Sequence, residues 1–348
     1  MSDYESTATV EQVARRINDA RSLLLTTHVK PDGDGVGSAL ALSRALRARG
    51  DGVEPEIYLM GPLESRIRDI AGDTPYHMAG GKPPQGEYDL IIVLDTGAWT
   101  QLAPIADWLR QNRERVVGID HHAKGDDVAP MRIVDPTAAA TTQVLVPVLQ
   151  AMGCEITGGP ESVAEALFVG LATDTGWFRF PSAGAEALQL AAWLLQRGVD
   201  KPRLYQVIEE TFRPQRLALQ GRALATLEYA LDGAVAIMTL RPEDFRETRG
   251  NMQDVSELVN TPMAIRTVRV SVLLAQTGAK GTKFSFRSKP DITGVVNGAT
   301  TDMNVLAQRF GGGGHVHAAG AHVDMDADKA KAALLAALEE TANSGVRA

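Results

Sequence analysis

The chain has 348 residues, 44% of them hydrophobic and 22% charged, a balance that predicts about two domains with full cores and excludes disorder, collagen-like repeats and one long coiled coil. Its 35 Lys and Arg against 43 Asp and Glu leave a formal charge of −8, so no global positive field is present to hold long nucleic acid by counterion release. The single cysteine, Cys154, rules out an intrachain disulfide and a thiolate metal cage, so a reducing compartment is expected and any metal must be held by His and carboxylate.

The first residues, MSDYESTATVEQVARR, carry neither a basic start nor an apolar core of a signal, and the longest uncharged run, Pro136 to Cys154, is interrupted by Thr, Gln, Pro and Gly. A cytoplasmic protein without a membrane span is therefore expected. Apolar runs at 22–27, 56–60, 89–94, 115–119 and 131–134 alternate with helical patterns. That rhythm predicts an α/β fold in which a mainly parallel sheet is flanked by helices. Between the first two runs, GSALALSRALRARG reads as a helix stopped by Gly50, and further helices are predicted at about 137–152, 161–173 and 186–197. Residues 201–232 are polar and helix-forming without a strand signal, which reads as a helical linker. Beyond Gly233, the runs AVAIMTL, TVRVSVLLA and GTKFSFRS with helical MNVLAQRF and ADKAKAALLAALEET predict a smaller C-terminal α/β domain. The expected division is thus 1–200, a linker over 201–232, and 233–348.

Ligands of an open parallel sheet bind beyond the carboxyl ends of its strands, where this chain places His28, Asp95 and Asp120-His121-His122. In the segment from His28 to Ser38, Pro31 and the glycines at 33, 35 and 37 predict a tight loop that lets His28, Asp32 and Asp34 converge on a cation. A plain Asp-Gly turn fits that segment equally well when it is taken alone. Asp95 follows a run of aliphatics, so its carboxylate must pair, protonate, bind metal or cap the next helix. Alternation along an extended chain predicts that His121 and His122 point to opposite sides and serve different tasks. Asp174 ends a helical run. Together, His28, Asp32, Asp34, Asp95, His121 and Asp174 form an oxygen and nitrogen set large enough for two divalent metals with Asp95 bridging. Without thiolate, such a set favours Mn²⁺ or Mg²⁺, with Co²⁺, Fe²⁺ and Zn²⁺ also compatible.

The glycine run at 311–314 sits between a helical pattern and a strand pattern, an unusual place for a flexible linker. Its backbone N–H groups are expected to form an anion nest, with Arg287 adding a forked contact and His315 a further donor. No Walker lysine follows it.

These motifs resemble the DHH phosphoesterase family, whose name is spelled here by Asp120-His121-His122. The family's first motif is matched by His28, Asp32, Asp34, Gly37 and Ser38, its L-D-T-G by 94–97, and its later D-T-G by 174–176. Its C-terminal associated domain is matched by F-R-S at 286–288 and GGGGHVHAAG at 311–320. Ala98, where many members carry a polar residue, is a mild departure.

The resemblance implies one Mn²⁺ on His28, Asp32 and Asp95 and another on Asp34, Asp95, His121 and Asp174. It places His122 at the scissile phosphate with Asp120 behind it as catalytic pair, and gives substrate binding to Arg287, Ser288, Gly312, Gly313, Gly314 and His315. The compact length is most similar to NrnA-type enzymes, which implies hydrolysis of very short RNA, linear dinucleotides such as pApA or pGpG included, and of 3′-phosphoadenosine 5′-phosphate to AMP. The expected partner is a short single-stranded RNA or nucleotide, with no long duplex and no membrane, and a homodimer stays open. Two rivals share the scaffold: another DHH hydrolase (single-strand exonuclease, inorganic pyrophosphatase or polyphosphatase) and an inactive nucleotide-binding regulator.

Overall fold

The computed structural model describes residues 4–289 and 302–344, without the side chains of His315 and of residues 341–344. The chain divides into two compact units, 1–211 and 212–348. In chain order the first unit contains α1 (Val10–Asp19), β1 (Leu23–Thr26), α2 (Gly33–Ala48), β2 (Glu56–Leu59), α3 (Ser65–Ala71), β3 (His77–Met78) and β4 (Leu90–Leu94). There follow α4 (Ala106–Gln111), β5 (Val116–Asp120), β6 (Met131–Val134), α5 (Thr141–Ala151), α6 (Val163–Asp174), α7 (Ala185–Gln196) and α8 (Lys201–Glu209). The strands form one sheet in the order β3-β2-β1-β4-β5-β6, and every pair is parallel.

Parallel strands covered on both faces need continuous apolar runs, which is why LLLT and LIIVL are buried at every position. One face packs Leu23, Leu25, Ile92 and Ile119 against α1, α2, α5 and α6, and the other packs Leu24, Ile91 and Val93 against Tyr58, Tyr88 and Leu109. Helix α2 is buried from Gly33 to Leu46.

The start of α2 corrects the tight loop expected over 28–38. The helix begins at Gly33, and Gly33, Gly35 and Gly37 all keep negative φ. Their missing side chains make room instead: a Cβ on Gly37 would stand 2.7 Å from the Ala166 carbonyl oxygen of α6, and one on Gly35 would stand 2.2 Å from Thr27 Oγ1. Glycine there lets two helices and a strand end touch, which no local pattern in the sequence reports.

The stretch 201–232 is shared between the units. Leu204 and Ile208 of α8 enter the core of the first unit. Leu219 and Ala223 of α9 (Pro214–Ala225) pack on Met238, Leu240 and Phe245 of the second. A short strand, β7 (Glu228–Ala230), follows where no strand was expected; three residues with Glu228 and Tyr229 exposed carry too little alternation to be read.

The second unit continues with β8 (Val235–Leu240), α10 (Pro242–Thr248), β9 (Val270–Gln276), β10 (Thr282–Ser288), α11 (Met303–Gln308), β11 (Gly313–His315), β12 (Ala318–Val323) and α12 (Ala327–Ser344). Its sheet runs β11-β12-β10-β9-β8-β7 with β8 and β9 parallel and the other pairs antiparallel. Phe284 and Phe286, with ring centroids 5.4 Å apart, centre a core closed by Phe310 and by Ala330, Leu334 and Leu338 of α12. Among the described residues, no helix is long and apolar enough to cross a membrane.

Candidate metal centre

The first sheet grows outward in two directions from the β1–β4 pair, so the crevice beyond the carboxyl ends of these strands is the topological switch point. His28 lies just past β1, Asp95 directly after β4, and Asp120 closes β5 with His121 and His122 behind it. Asp34 in the first turn of α2 and Asp174 at the end of α6 reach the same place.

Four of these side chains, Asp32, Asp34, Asp95 and His121, are aimed by backbone or hydroxyl groups. Asp32 caps α2: its Oδ1 accepts from the N–H groups of Asp34 and Gly35, both at 3.1 Å, leaving Oδ2 toward His28. Asp34 is clamped by the start of α5, with Oδ2 accepting from the Thr141 N–H at 2.6 Å and Oδ1 from the Thr142 N–H at 3.0 Å. Asp95 adopts a left-handed backbone at φ 61°, an uncommon state for a residue with a Cβ, and its Oδ1 accepts from Thr141 Oγ1 at 3.0 Å. It caps no helix; Ala98 holds that place before the 3₁₀ turn Trp99–Ile105. His121 Nδ1 stands 3.2 Å from the Ala138 carbonyl, which can only accept, so Nδ1 donates to it and Nε2 is the nitrogen turned toward the carboxylates.

Among the described residues, three groups of His and Asp could hold a metal ion: His28, Asp32 and Asp95; Asp34, His121 and Asp174; and Asp95, His121 and His122, each with ligand atoms within 4.8 Å of one another. His28 Nε2 lies 3.5 Å from Asp32 Oδ2 and 3.4 Å from Asp95 Oδ2. His121 Nε2 lies 3.5 Å from Asp95 Oδ1, 3.6 Å from Asp174 Oδ2 and 3.9 Å from Asp34 Oδ2. These separations are long for N–H···O bonds. All but the 3.9 Å separation of His121 and Asp34 match donors that share one ion, since two ligands each about 2.1 Å from a metal stand roughly 3.0 to 3.6 Å apart.

The charges agree. Asp34 and Asp95 are 1% and 3% exposed. Burial pushes both carboxyls above their ordinary range, and Asp34 pushes Asp95 further. Burial, with Asp34 beside it, raises Asp174 to about 7. Burial would lower His28, but the Asp32 and Asp95 carboxylates outweigh it and hold the ring at about 10. Groups that retain protons this firmly surround a place where positive charge is stabilised, which is the condition a divalent cation meets.

His121 and His122 do not alternate to opposite sides. Their rings meet edge to face with centroids 4.7 Å apart, because both lie past the end of β5, where the pleat no longer dictates direction. Their tasks differ through their partners. His122 Nδ1 donates to Asp120 Oδ1 at 2.7 Å, an oxygen that also accepts from the N–H groups of His121 and His122. That hydrogen bond raises His122 to about 9, with burial opposing it. Asp120 is fully buried; burial would raise its carboxyl, but the bonds from His122 and from the Tyr4 hydroxyl, 2.8 Å from Oδ2, hold it below its ordinary value.

Thr141 and Tyr4 are the residues that sequence reading missed. The two threonines of AAATTQV are a weak cap signal, and Tyr4 gives none, lying 116 positions from the carboxylate that it meets.

In the second unit, Arg287 and Ser288 end β10. Arg287 is half-buried and its Nη1 donates to the Phe286 carbonyl, while Ser288 Oγ lies 2.9 Å from His317 Nδ1. The glycine run departs from the expected anion nest. Gly311, Gly312 and Gly314 donate their N–H groups to Gln308 O, Ala307 O and Asn304 Oδ1, at 3.1, 2.9 and 3.0 Å. Gly313 and Gly314 pair with Gly320 and Ala319 of β12, and a Cβ on Gly312 would stand 2.1 Å from Gly320 O. Strand approach is therefore what these glycines serve. The side chain of His315 lies outside the described residues.

Comparison with known proteins gives a consistent picture. The model of the DHH family, N-terminal domain, matches residues 22–171, and that of the DHHA1 domain matches 232–344. The chain is 32% identical to the bifunctional oligoribonuclease and PAP phosphatase NrnA of Thermus thermophilus, over 91% of this chain and 89% of that protein. It is 25% identical to the protein of the same name from Bacillus subtilis, over 90% and 92%. An exopolyphosphatase-related protein from Bacteroides fragilis superposes over 100% of both chains with a TM-score of 0.85 at 23% identity, a likeness of fold.

Proposed function

Because this chain belongs to the DHH family and is a phosphoester hydrolase, we propose that it hydrolyses very short RNA, linear dinucleotides such as pApA and pGpG included, to mononucleotides, and 3′-phosphoadenosine 5′-phosphate to AMP. The observation that carries this reading is the gathering of His28, Asp32, Asp34, Asp95, His121 and Asp174, from separate segments, at the switch point of one parallel sheet. Two divalent ions, Mn²⁺ by the chemistry of the donor set, would be held here, one by His28, Asp32 and Asp95 and the other by Asp34, Asp95, His121 and Asp174. Such ions, when bound, make water a stronger nucleophile at neutral pH and neutralise charge on the attacking and leaving oxygens.

The chain's own residues supply the rest. Asp120 holds the His122 ring through Nδ1 and favours its protonated form, in which Nε2–H can donate to a phosphoryl oxygen as charge builds there. Thr141 and Thr142 keep Asp34 and Asp95 in place, so donor geometry does not wait for substrate. The second unit is proposed to bind the nucleotide through Arg287, Ser288 and His315, with the glycines at 312–314 shaping the strand that carries His315 rather than forming an anion nest; a guanidinium suits a phosphate through forked donors. A net charge of −8 accords with a substrate of a few nucleotides rather than a long strand.

The test is a turnover panel with Mn²⁺ over a 5′-phosphorylated diribonucleotide, 3′-phosphoadenosine 5′-phosphate, pyrophosphate and polyphosphate, each with an EDTA control. Mononucleotide release from the first two, abolished by EDTA, is expected. Turnover without metal, or pyrophosphate or polyphosphate as the preferred substrate, overturns the reading.

A further inference from the structure

The geometry points to Tyr4 as a positioning residue for the hydrolysis, one whose hydroxyl pins the second oxygen of Asp120 so that the first holds His122 in register with the metal centre. This rests on the function proposed above and adds a residue that lies outside every motif matched in the sequence and outside the residues matched by the family model.

Asp120 is fully buried, and its two oxygens divide their work. Oδ1 takes the His122 ring and two backbone N–H groups, and Oδ2 takes the Tyr4 hydroxyl at 2.8 Å. A carboxylate held at both oxygens cannot rotate about its last bond, so the His122 Nδ1 contact is fixed in direction as well as in distance.

The surroundings are shaped for that phenol. A Cβ on Gly97 would stand 2.0 Å from the Tyr4 hydroxyl oxygen, and one on Gly125 would stand 2.6 Å from the ring. Neither glycine has a positive φ, so no backbone requirement explains them, and space for the ring does. The Arg132 guanidinium lies 5.5 Å from the ring centroid.

The segment behind Tyr4 is fastened along β6. Ser6 Oγ donates to Val134 O and accepts from Val134 N–H, Thr7 N–H donates to Arg132 O, Thr7 Oγ1 accepts from Arg132 N–H, and Arg132 Nε donates to Glu5 O. A chain stitched this closely delivers its first described side chain to one place. The notch, the strap and the bond to Asp120 are separate features that share that end point.

Steady-state kinetics with Mn²⁺ and a 5′-phosphorylated diribonucleotide test the assignment on the full chain, as wild type, Tyr4→Phe, Asp120→Asn and the double variant. Outer partners of this kind carry about 10- to 100-fold effects. Tyr4→Phe keeps the ring in its notch and should lower kcat by that factor, with KM and the Mn²⁺ titration midpoint changed by less than about twofold. In the Asp120→Asn background the same change should cost nothing further. Ser6→Ala, which loosens the strap without touching Asp120, should share any loss of Tm yet keep kcat. An unchanged kcat in Tyr4→Phe, an equal loss in both backgrounds, or an equal loss in Ser6→Ala would each overturn the assignment. Should the wild-type chain turn over none of the substrates, the proposed function falls, and imidazole ¹H–¹⁵N spectra of the Mg²⁺-loaded protein still decide the role of Tyr4. Faster solvent exchange of the His122 Nδ1 proton in Tyr4→Phe sustains it, and an unaltered exchange rate overturns it.

Discussion

Two glycine-rich segments, Gly33–Gly37 in the first unit and Gly311–Gly314 in the second, do the same mechanical work with different consequences. Each removes side chains where backbone must come close: Gly37 against the Ala166 carbonyl of α6, Gly312 and Gly314 against the carbonyls of Gly320 and Ala318 in β12. In the second unit the approach seals a strand beside an aromatic core whose groups satisfy one another. In the first it brings Asp34 beside Asp95 and Asp174, carboxylates that burial and mutual repulsion disfavour as anions. Close approach is thus neutral where it joins apolar surfaces, and calls for a counter-cation where it joins charges.

Replacing the shared carboxylate is the sharpest way to break that contrast. Asp95→Asn should lower Mn²⁺-dependent turnover by roughly 10³-fold or more. The same change should raise the Tm of the metal-free protein, because a neutral amide takes the place of a buried, repelled carboxylate. Calorimetry in EDTA checks the second part, and a falling Tm would mean that repulsion is not what limits the empty centre.

Metal addition should act on the first unit alone. Mn²⁺ at a hundred times its Kd is expected to stabilise by about 2.7 kcal/mol. Hydrogen exchange should place that protection in 1–211 and leave the strands of 212–348 unchanged.

In the metal-free protein the gain should be echoed by protons. Asp174 is held at about 7, His122 at about 9 and His28 at about 10, all above their unfolded values. Each therefore contributes stability that is complete below its unfolded pKa, about 4 for Asp and 6.5 for His, and is lost as pH rises through the folded value. Urea midpoints should fall steadily between pH 5 and pH 10 in EDTA, and the slope should flatten with Mn²⁺.

The glycines themselves are expected to be equally sensitive in the two units. Gly37→Ala and Gly312→Ala should each cost about 1–3 kcal/mol in urea unfolding, since both would press a methyl group against a carbonyl oxygen. Only the first should also weaken Mn²⁺ binding. The smallest effect belongs to Thr141→Val, which keeps the N–H clamp on Asp34 and removes the hydroxyl bond to Asp95: about a tenfold loss of Mn²⁺ affinity by titration calorimetry.

Much of the centre was legible because its donors sit where strand ends and residue types coincide. His28, Asp95 and His121 follow apolar runs that could only be buried strands, and a buried Asp or His next to such a run needs a partner. The start of α2 was misread because Gly and Asp mark turns in most contexts, and only the neighbouring helix explains why glycines stand inside this one. The pairing of His121 with His122 was misread because alternation ends with the strand. The glycine run at 311–314 was misread because its free-looking N–H groups are taken by Ala307, Gln308 and Asn304, contacts that no spacing rule encodes.

By itself the sequence determined the α/β class, the positions of the long strands and which six His and Asp to consider together, since periodicity and residue chemistry are local properties. The tertiary structure decided how those side chains are turned, through Thr141 on Asp34 and Asp95 and Ala138 on His121, and how His122 is held, through Tyr4 on Asp120. The physical reason is one of range. A hydrogen bond between residues 107 or 116 positions apart leaves no trace in local pattern, and it exists only once the sheet and its helices have closed.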